Sequence, residues 1–121
     1  MTTLYYNQYM MRKIFPLKKR AQILAKQMTE YADEIEKDIT AKHHFDATLW
    51  DYQWESRFVP RIHLMINQLD EVGQHSPALD NLSENLLMIQ QTGNTIVSQY
   101  IRQWANEINK LAAGLPESAS P

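Results

Sequence analysis

Leu17, Ala21, Leu24, Met28, Tyr31, Ile35 and Ile39 follow one another at steps of three or four residues. No other feature constrains this chain's fold as tightly, because only an α-helix brings positions so spaced onto one face. The pattern returns twice. Phe45, Leu49, Tyr52, Val59, Ile62, Ile66, Leu69 and Val72 form a second stripe, with one polar gap at Ser56. Leu79, Leu82, Leu86, Ile89, Gly93, Ile96, Tyr100, Trp104, Ile108 and Leu111 form a third. Strand-type alternation runs through no useful length. The reading is all-α.

Local chemistry marks the ends of these stripes. His43-His44-Phe45-Asp46 interrupts the first, and Asp46 is suited to cap the helix that follows. Gly73 is placed to end the second, where a left-handed residue costs Gly nothing. Ser76-Pro77 reads as an N-cap followed by a first helical residue whose missing N–H is not needed. Gly114 and Pro116 stop the third. Inside the second stripe, Pro60 removes a hydrogen bond and clashes one turn back, so a kink is expected near 56–60. Gly93 leaves the apolar phase of the third stripe intact. The expectation there is one helix over 77–113, ~55 Å long, with a close helix approach at Gly93. The alternative is a break at Gly93, with Thr95 recapping.

Short turns between long helices bring neighbours antiparallel. The N-terminal segment differs from the stripes. Leu4, Tyr5, Tyr6, Tyr9, Met10, Met11, Ile14 and Phe15 are apolar or aromatic on nearly every side, and Pro16 sets them apart. They read as a short fourth helix or as a contact surface. The expected architecture is an elongated antiparallel helical bundle of three long helices plus a short N-terminal helix. It forms a single domain over 1–113, and 114–121 reads as a flexible C-terminal tail.

Composition narrows the function classes. The 121 residues contain no Cys, which removes disulfides, Cys-ligated zinc and thiol nucleophiles, and fits a reducing, cytoplasmic setting. Three Gly are too few for a Gly-rich phosphate loop. No stretch approaches the ~20 apolar residues that span a bilayer, so a soluble protein is expected. His43, His44 and Asp46 resemble a ligand cluster only superficially, since adjacent His do not share a helix face. His63 and His75 stand alone, and Glu-x-x-His, the di-iron bundle signature, does not occur. The expectation is no metal, no cofactor and no catalytic constellation.

Charge is more informative. Residues 1–26 carry Arg12, Lys13, Lys18, Lys19, Arg20 and Lys26 and no acid, although the whole chain has 14 acids against 12 Lys and Arg. Glu30, Asp33, Glu34, Glu36 and Asp38 follow. Bases near the start of a helix and acids toward its end both oppose the macrodipole, so helix stability does not explain the order. The basic set is a candidate anion-binding patch. Alternatively, it pairs with acids on a neighbouring helix. Trp50, Trp54 and Phe58, spaced by four on a face offset from Leu49/Tyr52/Val59, are either core or interface. With Tyr5, Tyr6, Tyr9, Met10 and Met11 they form the candidate partner-binding set.

The expected function is a non-catalytic protein–protein interaction module, whether adaptor, chaperone-like or inhibitor-like, whose partner is another protein or a second copy as a homodimer. The alternative is a nucleic-acid-binding accessory protein using the basic 12–26 stretch. A third version has residues 4–20 on an anionic lipid surface.

Overall fold

Pro16 begins the first helix by accepting a hydrogen bond from Arg20 N–H at 3.0 Å. The computed structural model describes residues 16–41, 47–80 and 94–117. They form α1 (Leu17–Ala41), α2 (Ala47–Arg57), α3 (Val59–Glu71), the one-turn α4 (Pro77–Asp80) and α5 (Asn94–Ala113). No strand occurs among the described residues, and the fold is an all-α helical bundle. Three helical rods pack together: α1, the bent pair α2–α3, and α5. The N-terminal helix expected over 1–15 lies outside the described residues. So do His43, His44 and Asp46.

The first stripe is buried as its spacing requires. Leu17, Ala21, Leu24, Met28, Tyr31 and Ile35 all lie in the core. Ile39's side chain lies outside the described residues.

The second stripe needs correcting. The apolar residues that α2–α3 buries are Trp54, Phe58, Ile62, Met65 and Leu69, whereas Leu49 and Tyr52 are 49% and 65% exposed. These buried positions follow at steps of four, four, three and four, one helical phase carried through the bend. Phe58 separates the two helices with φ −114° and ψ −42°. Backbone bonds from Phe58 N–H to Trp54 and from Ile62 N–H to Phe58 carry the chain through it. Pro60 has no N–H to offer the Ser56 carbonyl, so the rod bends where the kink was expected. Ser56 adds to this, since its hydroxyl donates back to the Tyr52 carbonyl at 2.9 Å. Projected backward from Ile62 and Leu69, that phase reaches Phe58 and Trp54; the stripe through Val59, on the flank of the buried face, leads instead to Tyr52 and Leu49.

Gly73 closes α3 as expected, with φ 82°. Gln74 N–H bonds the Leu69 carbonyl and Gly73 N–H the Asp70 carbonyl, the two bonds of a Schellman cap. Pro77 opens α4. The Ser76 hydroxyl does not cap it, but donates to Glu107 on α5 at 3.1 Å.

That contact overturns the single 77–113 rod. In one continuous helix, residues 76 and 107 would lie ~45 Å apart, yet their side chains touch. α4 and α5 are separate elements packed on each other. Leu82, Leu86, Ile89 and Gly93, the middle of the third stripe, lie outside the described residues. In α5, Ile101, Trp104, Ala105, Ile108 and Ala112 are buried, with Tyr100 and Leu111 packed against them. Leu115, read above as part of the tail, is 5% exposed and belongs to the core; 118–121 lie outside the described residues.

Long-range contacts set the directions. Lys18 meets Glu117, while Asp33 meets Arg102, so α5 runs antiparallel to α1. Arg20 meets Gln68, while Asp38 meets Trp50, so α2–α3 also runs antiparallel to α1. α5 therefore lies parallel to α2–α3. At the α2 end, the core is aromatic. Tyr31 packs on Phe58 at 5.0 Å and on Trp54 at 6.1 Å, and Trp54 stacks on Trp104 at 5.9 Å.

Candidate interaction surface

The described part of the basic stretch does not form one patch. Lys19 and Lys26 are exposed on the outer side of α1. Lys18 pairs with Glu117 at 3.3 Å. Arg20 is only 2% exposed, with its guanidinium donating to Gln68 Oε1 at 2.7 Å. This corrects Arg20's place in the anion-binding set. Its angle on α1, beside Leu17 and Leu24, turns it toward α3. Arg12 and Lys13 lie outside the described residues.

The acidic run is answered by α5. Arg102 reaches Asp33 at 2.6 Å and Glu36 at 2.7 Å. Its hydrogen bonds hold the Glu36 carboxyl below the usual carboxylate range; burial opposes them, and a hydrogen bond with Ser98 adds to them. Asp38 accepts from the Trp50 indole at 2.9 Å. The cation that meets Asp33 and Glu36 is therefore Arg102, from outside the basic stretch.

The aromatic set divides. Trp54 and Phe58 are 3% and 1% exposed. They are core residues, and this removes them from the partner-binding set. Trp50 is half-buried, its carbonyl accepting from the Tyr31 hydroxyl at 2.6 Å. Tyr5, Tyr6, Tyr9, Met10 and Met11 lie outside the described residues. Leu49 and Tyr52, assigned to the core by their spacing, are the large apolar side chains left exposed among the described residues. They sit three apart, so the outer face of α2 presents them together. Asp51 is half-buried beside them. Burial and then the nearby Glu55 raise its carboxyl above the usual range.

A second feature was not marked by the sequence reading. Arg57 closes α2 and Arg61 lies in the first turn of α3, one on each side of the bend. The Arg57 guanidinium carbon sits 5.4 Å from the Phe58 ring centre and 5.6 Å from that of Tyr31. That of Arg61 sits 5.8 Å from Phe58. The Arg61 guanidinium donates to the amide oxygen of Gln27 on α1. Burial, then repulsion from Arg57, lowers the Arg61 pKa. The signal was available, since Arg57 and Arg61 are four apart around Phe58 and Pro60.

At the other end of the bundle, a pocket of about 150 Å³ is lined by Asp70, Gln74, His75, Ser76 and Asp80, among others. His75 faces Asp80 at 2.8 Å through Nε2 and Asp70 at 3.4 Å through Nδ1. Ser76 turns its hydroxyl to Glu107, so the adjacent serine and histidine do not form a nucleophile–base pair. No helix among the described residues is long and apolar enough to cross a membrane. No protein family, curated protein or solved structure matches this chain.

Proposed function

We propose that this chain is a non-catalytic interaction module of the cytoplasm that engages another protein through the outer face of α2. The observation that carries the reading is the exposure of Leu49 and Tyr52. Their helix is already anchored by Trp54 and Phe58, so these two side chains contribute little to folding. Tyr is favoured at interfaces because it supplies a large apolar face and a polar tip on a stiff side chain.

A photoreactive benzoylphenylalanine placed at position 52 tests this in cells, with the same group at Lys26 as control. An adduct of one defined mass is expected at 52, absent at 26 and lost when Leu49→Asp is added. That substitution should leave folding nearly unchanged, within about 0.5 kcal/mol for an exposed site. An adduct twice the chain's mass would identify a second copy as the partner. No adduct at 52, or equal adducts at both positions, overturns the reading.

Nucleic-acid binding is the second reading, supported by the exposure of Lys19 and Lys26. It is weaker than the sequence alone made it, because Arg20 is buried and Lys18 is paired. Affinity for a single-stranded oligonucleotide should fall steeply with salt if phosphates are bound. Undetectable binding at low salt ends that reading.

A further inference from the structure

Arg57 and Arg61 stand apart from the other described arginines. Arg102 holds two carboxylates, and Arg20 is enclosed against Gln68. Neither Arg57 nor Arg61 makes an ion pair among the described residues. The side-chain hydrogen bond of Arg61 goes to a neutral amide. Two like charges four residues apart on a helical rod repel each other, and here one of them is partly desolvated as well. Nothing described within the chain relieves that repulsion.

Both guanidinium groups are nevertheless held in place. Phe58 lies beneath each of them, Tyr31 flanks Arg57, and Gln27 fixes the far end of Arg61. Cation–π contact and a hydrogen bond reduce the rotamer freedom that two long side chains would otherwise lose on binding. A planar guanidinium presents paired N–H donors that match the two oxygens of a carboxylate. An oxyanion seated between the two groups would cancel their repulsion and find its donors already placed.

We infer that Arg57 and Arg61 form a receptor for one carboxylate, carried by an acidic side chain of the protein partner proposed above. The assignment rests on that partner reading and supplies its chemistry. Two acids, Asp51 and Glu34, lie within electrostatic reach of the same Tyr31 hydroxyl that feels Arg57. They disfavour a polyphosphate, whose charges recur closely along its backbone, more than they disfavour a single carboxylate. Leu49 lies eight residues before Arg57, about 80° round α2 and roughly 12 Å along it, so a matching peptide combines an apolar side chain with one acid.

Arginine side-chain N–H signals of the full chain, followed by NMR, test the receptor. The probe is a blocked Leu-Glu-Leu-Leu peptide, with its Glu→Gln version, sodium acetate, inorganic phosphate and a single-stranded oligonucleotide in parallel. The Glu peptide should shift the Arg57 and Arg61 signals and leave Arg102 in place. Acetate should do the same more weakly, and the Gln peptide should not. Arg61→Lys keeps the charge and the fold but loses the fork, and should weaken binding by at least about tenfold, as loss of a charge-assisted hydrogen bond implies. Unmoved Arg57 and Arg61 signals, or equal shifts with the Gln peptide, overturn the receptor. Tighter binding of phosphate or the oligonucleotide overturns the carboxylate in favour of a phosphoryl group. An adduct at position 52 with silent arginines refutes the receptor alone. Shifted arginines with no adduct refute the α2 docking face instead.

Discussion

The two sides of α1 are built differently. Toward α5 it presents Ala25 and Ala32, seven residues apart, and α5 carries Ala105 and Ala112 at the same spacing on the flank that also bears Arg102. All four alanines are buried. Small side chains let the two backbones approach closely, and this is the most extensive helix contact among the described residues. Its polar groups stay at the rim, where Arg102 meets Asp33 and Glu36. Toward α2–α3, α1 presents Arg20, Gln27 and Tyr31, which meet Gln68, Arg61 and the aromatic cluster. An alanine seam tolerates small changes of register. A seam with buried hydrogen bonds permits only the register that satisfies them. The same helix thus obtains proximity on one side and specificity on the other.

Trp104 is where the two seams join, because it sits on α5 and stacks between Trp54 and Tyr100 at 5.9 and 5.8 Å. Trp104→Ala should destabilise the fold by about 3–5 kcal/mol, the usual range for a buried aromatic, as read by urea unfolding. Tyr52→Ala on the exposed face should hardly register in the same assay. Comparable losses at both positions would contradict the assignment of core and surface on α2.

The polar seam gives the next effect. Gln68→Leu leaves the buried Arg20 guanidinium without that acceptor and should cost about 1.5–3 kcal/mol. Adding Arg20→Met should recover much of the loss, since a matched apolar pair often replaces a buried polar one. Additive losses would mean that the two side chains act separately. The alanine seam should respond in the opposite sense to volume. Ala105→Leu should cost about 1–3 kcal/mol by overpacking, whereas Lys26→Leu on the outer face of α1 should be close to neutral. A tolerated Leu at 105 would show that the seam is looser than its burial implies.

The smallest effect is electrostatic and depends on pH. Arg102 lowers the Glu36 pKa in the folded state, so folding favours the ionised carboxylate. That contribution is complete above the unfolded carboxylate value of ~4.3, and it is lost as pH falls through Glu36's lower folded value. Arg102→Gln should therefore lower the melting temperature near neutral pH and converge with the parent chain in acid. Glu36 is 48% exposed, so the difference should stay below about 1 kcal/mol and shrink with salt. A gap that persists in acid would mean that Arg102 acts through packing.

The split on α2 shows where sequence reading succeeds and where it stops. Its residues offer two apolar faces, Leu49/Tyr52 and Trp50/Trp54/Phe58. Periodicity alone chooses between them only by continuing the phase of the next stripe. Continued from Ile62 and Leu69 that phase selects Phe58 and Trp54, but continued from Val59, on the flank of the buried face, it selects Tyr52 and Leu49, and the outward face was read as core. Arg20 was read with its basic neighbours, because its burial depends on Gln68, 48 residues away. Arg57 and Arg61 are visible as a pair in the sequence, but that neither meets a carboxylate among the described residues is a property of the packed bundle.

The chain by itself determined the helical class, the buried face of α1, the bend at Pro60 and the cap at Gly73. Each of these depends on backbone geometry within a turn or two: a repeat near 3.6, a missing N–H, a positive φ. The packed structure alone decided that α4 and α5 are separate, that Arg20 turns inward, and that Arg102 answers Asp33 and Glu36 of α1. Those outcomes depend on which distant groups share one low-dielectric interior. There most enclosed polar groups find a partner, as Arg20 does in Gln68, while the Trp54 indole N–H and the Gln68 amide nitrogen have none among the described residues.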